Sequence, residues 1–225
     1  MQKISYEGSS EIGAYARLTS AYLLIGRSEN NFFASNFANL SIPVIETTIN
    51  SIRTVGSLTQ GNKYGLLLPN TTHDHELFFI RQNLPENIKV RRIDERLNAL
   101  GNIILCNDHI ALVHPEIEPE TVEAIKDVLR VPVHKICIND KPLVGTYAVM
   151  NNQGMLVEPK TSEEEMNELR NLVNLRISAG TVNMGNDSVG GGIIINDYMG
   201  FCGKDTTNPE LGFMEKLFLL TETNN

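Results

Sequence analysis

Cys202, His109 and His114 are the residues whose types could support covalent chemistry. A thiolate with a positioned imidazole and nearby carboxylates can attack the carbon of an amidine group. Cys202 follows Met199, Gly200 and Phe201 in a segment that aligns with a strand of the other repeats described below. A small buried apolar residue is expected at that place, which favours core packing over catalysis.

Metal and phosphate chemistry have weaker support in this chain. The pairs His73 with His75 and His109 with His114 lack the nearby Cys or Glu arrangement of a tetrahedral metal site. The run 190–192 is all glycine, but three isoleucines follow it, so it opens a strand and not the helix N-terminus that binds phosphate. We therefore predict no metal and no cofactor.

The elements that position these residues are predicted by an internal repeat. Five glycines recur every 43 to 45 residues, and each is followed six residues later by a polar residue suited to a turn. Apolar residues stand 21 and 24 places after each glycine, as helix positions would require. A period near 45 residues indicates a repeat architecture. The glycines are Gly13, Gly56, Gly101, Gly145 and Gly190, and the polar residues are Thr19, Asn62, Asn107, Asn151 and Asn196.

One repeat has the pattern β-β-α-β. In the third, residues 101–106 are rich in β-forming types, Asn107 and Asp108 favour a hairpin turn, and 110–113 resume as a strand. Val122, Ile125 and Leu129 then form one apolar helical stripe. Helix starts are indicated at Ser162 and Thr207, each followed by Glu three residues later, and third strands at 42–45, 131–133 and 175–177.

Five such units are expected to close into a ring. The fifth segment has no third strand of its own, whereas residues 2–6 form a spare strand at the other end of the chain. We predict that this N-terminal strand completes the last blade, so that the sheet edges are paired. The expected fold is an α/β five-fold propeller, with residues 1–225 as one domain.

Charge and composition narrow the classes of partner. The formal net charge is −8 with three cysteines and no apolar run of membrane-spanning length, which favours a cytosolic protein. An acidic body disfavours binding nucleic acid mainly through phosphates. Lys89, Arg91, Arg92 and Arg96 are interpreted as a solvated strand edge.

Several stretches resemble the eukaryotic translation initiation factor 6 family, and together they cover nearly the whole chain. Among them are 61–69 (GNKYGLLLP), 96–102 (RLNALGN), 111–115 (ALVHP), 179–183 (AGTVN) and 205–211 (DTTNPEL). The resemblance implies the pentein fold, a five-fold pseudosymmetric α/β propeller. It also implies a protein that is not an enzyme. A closed ring with a polar exterior needs no partner to be stable, so we expect a monomer.

The function implied by the resemblance is binding to the large ribosomal subunit, which prevents premature joining of the small subunit. Implied partners are a ribosomal protein beside the sarcin-ricin loop, with ribosomal RNA as a further contact. Release would need the Shwachman-Bodian-Diamond protein and an elongation-factor-like GTPase. A role in biogenesis and export of the large subunit implies presence in cytoplasm, nucleus and nucleolus.

The positions that match the family's ribosome-facing edge are Ile52, Arg53, Ser57, Asn62, Lys63 and Asn102. Ser57 departs from the basic residue usual there, which removes one ionic contact. The same fold also hosts amidine hydrolases and transferases, so an enzyme using Cys202 is the alternative hypothesis.

Overall fold

The structure, a computed structural model, describes residues 1–29 and 31–220. Five three-stranded sheets surround a central axis, as the repeat predicts, and each sheet has the same strand order and directions. Residues 221–225 lie outside the described part of the chain. The assignment of all of 1–225 to one domain therefore stays a prediction.

Each sheet has an antiparallel inner pair and a parallel outer strand. The first four sheets are β2 Ala16–Leu18, β3 Leu23–Gly26 and β4 Val44–Thr47; β5 Gln60–Gly61, β6 Gly65–Pro69 and β7 Lys89–Ile93; β8 Ile104–Cys106, β9 Ala111–Val113 and β10 Val133–Lys135; β11 Ala148–Met150, β12 Gly154–Val157 and β13 Arg176–Ala179. The fifth combines β14 Ile193–Ile195 and β15 Gly200–Gly203 with β1 Gln2–Ile4.

Two kinds of helix occur in every repeat. One crosses from the second to the third strand: α2 Phe32–Ser35, α4 Asp74–Asn83, α6 Pro119–Leu129, α8 Glu163–Val173 and α10 Asn208–Leu217. The other is a single turn that precedes the first strand: α1 Ile12–Tyr15, α3 Val55–Leu58, α5 Leu100–Ile103, α7 Val144–Tyr147 and α9 Val189–Gly192. The strand predicted to begin at Gly101 therefore begins at Ile104, because residues 100–103 form this extra turn.

The repeat glycines lie on the single-turn helices and form a closed ring, here called the glycine belt. A Cβ built at each of them would overlap the carbonyl oxygen of the glycine in the preceding repeat, and Gly13 meets Gly190 in the same way. The backbones thus approach more closely than any side chain allows. Because the contact between Gly13 and Gly190 closes the series, the five repeats form a ring.

The hydrophobic core lies between neighbouring sheets. In one cluster, Leu77 and Ile80 of α4 pack on Leu66 and Leu68 of β6 together with Ile45 of the preceding sheet. Each helix that crosses from the second to the third strand therefore covers the junction between its own repeat and the one before it. Full burial of a leucine or isoleucine contributes about 1.5 to 3 kcal/mol, so every junction is stabilised mainly by apolar contact.

The two ends of the described chain meet in the fifth sheet. β1 runs parallel to β15, with Lys3 opposite Cys202. The α-ammonium group of Met1 pairs with Glu215, and Ser10 donates a hydrogen bond to Asp205 at 2.6 Å. The N-terminal segment thus completes the sheet that the fifth repeat leaves one strand short.

Local signals are partly confirmed. Thr207 and Glu210 form the full capping box, in which each side chain accepts the backbone amide of the other residue. Ser162 accepts the amide of Glu165, but the Glu165 carboxylate accepts the amide of Asn139 and not that of Ser162. Among the helices that cross from the second to the third strand, α2 is the shortest, with four residues. No helix within 1–29 and 31–220 is long and apolar enough to cross a membrane.

The basic segment proves to be an edge strand, as interpreted from the sequence. Lys89 and Arg91 both contact Asp127, Arg92 contacts Asp74, and Arg96 contacts Glu116. Each basic side chain thus has an acidic partner on the protein itself.

Candidate functional site

The six predicted site residues fall into two groups at opposite ends of β5. Ile52 and Arg53 precede α3, Ser57 lies on α3, and Asn102 occupies the equivalent position on α5. Asn62 and Lys63 lie in the turn that follows β5. Four of the six thus lie on the packed helices α3 and α5 or in the segment that leads into α3.

We call Ile52, Arg53, Ser57 and Asn102 the helix-side edge. Ile52 is 45% exposed, Arg53 is exposed, and Ser57 and Asn102 are half-buried. Within the described residues, the side chains of Ser57 and Asn102 have no hydrogen-bond partner. The edge thus offers one apolar, one cationic and two neutral polar groups to a partner.

A glutamate at the start of α4 determines the shape of this edge. Asn50 and Ser51 have positive φ values of 54° and 62°, which turn the chain sharply before Ile52. Glu76 accepts the amides of both, at 2.7 and 2.9 Å, and the hydroxyl of Thr48 at 2.6 Å. Burial opposes ionisation of Glu76, but these hydrogen bonds outweigh it and lower its pKa. A buried carboxylate therefore holds the loop that presents Ile52 and Arg53.

Arg53 is held between two acidic residues of the first repeat. Its guanidinium lies 3.3 Å from Glu7 Oε2 and 3.2 Å from Glu29 Oε1. Exposed ion pairs of this kind contribute little to stability because water screens them, so a partner can bind Arg53 at little cost. The guanidinium is thereby oriented without being sequestered.

Asn62 is committed to the fold. It is 3% exposed, and its amide donates to the carbonyls of Asn107 at 3.1 Å and Leu129 at 2.9 Å. Its Oδ1 accepts the amides of Tyr64 and Gly65. As a ribosome contact it stays a prediction, but replacing it would disturb the ring first.

The same bonding recurs around the axis and forms what we call the asparagine belt, made of Thr19, Asn62, Asn107, Asn151 and Asn196. Each asparagine accepts the amides two and three residues ahead and donates to the carbonyl of the next belt residue. None of them has positive φ. A left-handed backbone therefore does not explain the asparagines at these turns, whereas side-chain hydrogen bonding does.

A cavity on the ring axis, lined by Arg17, Gln60 and Cys106 among others, forms what we call the central channel. Lys63 borders its mouth. Its ammonium lies 3.4 Å from Asp108 Oδ2 and 5.1 Å from the centre of the Tyr64 ring. Burial disfavours the charge, but Asp108 and Tyr64 outweigh it and raise the pKa of Lys63. Asn152 bridges Asp108 to Asp197 at 2.8 and 2.6 Å, so the mouth is a hydrogen-bonded polar rim.

The channel behind this rim contains a charged residue that the sequence reasoning missed. Arg17 and Gln60 line it, four residues after their repeat glycines, where the other repeats have Leu105, Val149 and Ile194. Polar residues at a position that is apolar in the sister repeats are a signal that the sequence carries. Arg17 donates to the carbonyl of Gly56 at 2.6 Å, across the glycine belt.

Cys202 does not line this channel. It is fully buried between the fifth and fourth sheets with Met214 and Phe218, and burial raises the pKa of its thiol. The channel thiol is Cys106, whose pKa burial raises to about 12. His109 and His114 belong to the third repeat, and His114 Nδ1 accepts the amide of Glu116. Among the described residues, no hydrogen bond joins a cysteine thiol to an imidazole, and the thiols of Cys106 and Cys202 face the carbonyls of Gly61 and Gln2 instead.

No group of three His, Cys, Asp or Glu side chains within 1–29 and 31–220 is arranged to hold a metal ion. The polar rim of the channel accordingly consists of hydrogen-bonded side chains and one ion pair. That the chain needs no metal therefore stays a prediction made from the sequence.

Solved structures share the architecture at low sequence identity. The apo structure of ArgZ, an arginine dihydrolase of cyanobacteria, matches with a TM-score of 0.52 and 13% identity over 78% of this chain and 31% of that one. A dimethylarginine dimethylaminohydrolase adduct with S-methyl-L-thiocitrulline matches with a TM-score of 0.51 and 12% identity over 76% and 69%. At such identity the likeness shows the fold alone, which is the predicted pentein propeller.

Sequence relatives are much closer. Eukaryotic translation initiation factor 6 of Encephalitozoon cuniculi is 53% identical over 220 residues, which cover 97% of this chain and 91% of that protein. The proteins of the same name from Tetrahymena thermophila and Saccharomyces cerevisiae are 48% and 46% identical, each over 98% of this chain and 91% of the relative. The profile of the eIF-6 family matches residues 1–217. The resemblance read from the sequence is thus confirmed, and the chain belongs to the eIF-6 family of translation initiation factors.

Proposed function

We propose that this protein binds the large ribosomal subunit and prevents premature association with the small subunit. The observation that carries the proposal is family membership across nearly the whole chain, with a 53% identical relative that is named translation initiation factor 6. Inhibition of this kind needs no bond to be made or broken. A rigid body that occupies the joining face excludes the second subunit by volume alone.

The structure supports the proposal by its rigidity and by its chemistry. Backbone contacts close the ring at the glycine belt, and hydrogen bonds of the asparagine belt join the repeats at every junction except that between Thr19 and Asn62. Neither Cys106 nor Cys202 is an activated nucleophile, since burial raises both pKa values. We accordingly propose a factor that works by binding and not by catalysis, and we give up the amidine-modifying alternative.

The helix-side edge is the proposed docking surface. Ile52 and Arg53 are exposed, and the side chain of Asn102 is accessible without a hydrogen-bond partner in the described part of the chain. The proposed partner is the ribosomal protein beside the sarcin-ricin loop, with ribosomal RNA as a secondary contact. The net charge of −8 favours protein over phosphate as the main source of affinity.

The cellular context follows as part of the same proposal. A factor that must leave before subunit joining needs release partners, for which the Shwachman-Bodian-Diamond protein and an elongation-factor-like GTPase are proposed. A role in large-subunit biogenesis and export would place the protein in nucleolus, nucleus and cytoplasm. We propose a monomer, because the closed ring buries its cores within one chain.

Cosedimentation of the purified protein with large ribosomal subunits tests the proposal. We expect binding by the wild type at micromolar concentration and a loss of at least about tenfold in affinity for Asn102→Lys, since a long charged side chain would replace a small polar contact; tenfold corresponds to about 1.4 kcal/mol. Thr146→Lys is the matched control, because Thr146 follows Gly145 as Asn102 follows Gly101 and is also half-buried. No binding by the wild type would contradict the proposal, and equal losses in both variants would contradict the assigned surface.

A further inference from the structure

The guanidinium of Arg17 is a positive charge inside the ring without a negative partner. Among residues 1–29 and 31–220, no carboxylate lies within ion-pair distance of it. The neighbouring groups that act on its charge are the thiol of Cys106 and the hydroxyl of Tyr22. Both keep their protons at neutral pH, because burial raises the pKa of each. The local charge is therefore uncompensated by the protein.

Hydrogen bonding of the guanidinium is also incomplete. One terminal nitrogen donates to the carbonyl of Gly56, but the Nε group is buried and has no partner among the described residues. An unpaired buried donor costs about 1 to 3 kcal/mol, and more when it is charged. Burial also lowers the pKa of Arg17, although arginine stays protonated at any physiological pH.

A cavity on the ring axis lies against this side chain. It is lined by Arg17, Gln60, Cys106, Ala148 and Ile193, and its volume is about 60 Å³. One water needs about 10 to 15 Å³ by this measure, so the cavity has room for an ion of single-atom size and a few waters. A larger organic acid would not fit.

From this arrangement we propose that the channel binds a small monovalent anion of halide size, held by the guanidinium of Arg17. The anion would accept the unpaired Nε proton and supply the missing negative charge. Asp108 and Asp197 stand at the mouth with Lys63 as a partner of Asp108, so entry is across a rim that repels multivalent anions such as phosphate. Chloride is the ion of this class at high concentration in biological solutions.

The first test compares the thermal stability of the wild type in sodium chloride and in sodium gluconate at equal ionic strength. Gluconate is too large for the cavity. We expect the melting temperature to be about 3 to 6 °C higher once chloride is tenfold above its dissociation constant, because an ion that binds only the folded state stabilises it. Equal melting temperatures in the two salts would overturn the proposal.

A pair of variants links the effect to the side chain. Arg17→Met keeps the length of the side chain but removes the charge, so its melting temperature should be the same in both salts. Arg81→Met is the matched control, since Arg81 lies on the exposed face of α4 and donates to the carbonyl of Val90. It should keep the full chloride effect, and an equal effect in Arg17→Met would contradict the site.

Crystals of the wild type grown in sodium bromide provide a test that does not depend on any variant. Bromide scatters anomalously, so we expect an anomalous peak within hydrogen-bond distance of the Arg17 guanidinium. A channel that shows waters alone at that place would overturn the proposal, even if the melting temperatures differed.

Discussion

The glycine belt and the asparagine belt lie on the same axis but tolerate variation differently. The glycine belt has the same residue in all five repeats, whereas the asparagine belt has Thr19 in the first. Thr19 accepts the amides of Ala21 and Tyr22 as the asparagines accept theirs, but it has no amide to donate to Asn62. The asparagine belt thus keeps the turn in the first repeat but lacks the hydrogen bond that would join the first repeat to the second.

That lost link is replaced from elsewhere. The hydroxyl of Tyr22 donates to the carbonyl of Gly65 at 2.9 Å, crossing from the first repeat to the second, and it occupies the space beside Gly61 that a side chain would fill. The comparison teaches that contacts between backbones admit no substitute, while contacts through side chains can be moved to another residue. Two predictions test this difference, and a third probes a contact outside both belts.

The largest effect is expected in the glycine belt. Gly101→Ala places a methyl group against the carbonyl oxygen of Gly56, so the backbones must separate, and we expect a loss of about 3 kcal/mol or more in the free energy of unfolding. Urea denaturation measures it. Gly212→Ala is the control, because nothing lies within 4 Å of its added Cβ and α10 should gain about 0.5 to 1 kcal/mol. A loss below about 1 kcal/mol for Gly101→Ala would show that the backbones of the glycine belt can separate at little cost in stability.

A smaller, graded effect is expected in the asparagine belt. Asn107→Ala removes the acceptor for the amides of His109 and Ile110 and the donor to Asn151, which should cost about 2 to 3 kcal/mol. Asn107→Thr copies the first repeat, keeps the acceptor and should cost about 1 kcal/mol. Thermal unfolding of the two variants gives the ranking, and equal losses would mean that the turn does not depend on the acceptor.

A third effect lies outside both belts and depends on pH. Burial opposes ionisation of Glu210, but hydrogen bonds from Thr181, Thr207 and Gly185 outweigh it and hold its pKa at about 2. The folded pKa is below the unfolded value of 4.5, so this stabilisation is complete above pH 4.5 and is lost as the pH falls towards 2. Glycine and asparagine side chains do not titrate, so the two belts contribute nothing to the change in stability between pH 4.5 and 2.

Glu210→Gln checks the assignment. The variant should be less stable than the wild type at pH 6, and the difference should shrink between pH 4.5 and 2. Glu164→Gln serves as control, because Glu164 is exposed on the first turn of α8. If the stability difference between the wild type and Glu210→Gln did not change with pH, Glu210 would act through shape and not through charge.

Much of the fold could be predicted because its signals are local or periodic. The stripe of Val122, Ile125 and Leu129 predicts a helix on its own, and the capping sequence from Thr207 to Glu210 predicts where one begins. The single-turn helices were missed, because four residues are too short to show a period. The same shortness led the strand of the third repeat to be predicted three residues early, at Gly101.

The candidate site was harder to predict than the fold. Arg53 and Asn102 came from resemblance to relatives, and the structure adds that Arg53 is exposed and that the side chain of Asn102 makes no hydrogen bond within the described residues. Asn62 came from the same resemblance but is buried. Asn102 directly follows the repeat glycine Gly101, and Asn62 is the polar turn residue of the second repeat. These positions in the repeat do not show which of the two side chains is exposed.

The sequence by itself determined the number of repeats, the order of the strands and of the helices between them, and the glycine spacing, because these follow from periodicity and from backbone demands that each repeat shows alone. Only the tertiary structure decided which side chains meet across repeats. Arg17 reaches the carbonyl of Gly56, 39 positions along the chain, and the channel thiol is Cys106 and not Cys202. A repeat pattern states which positions are equivalent, but only ring closure determines which of them face the axis.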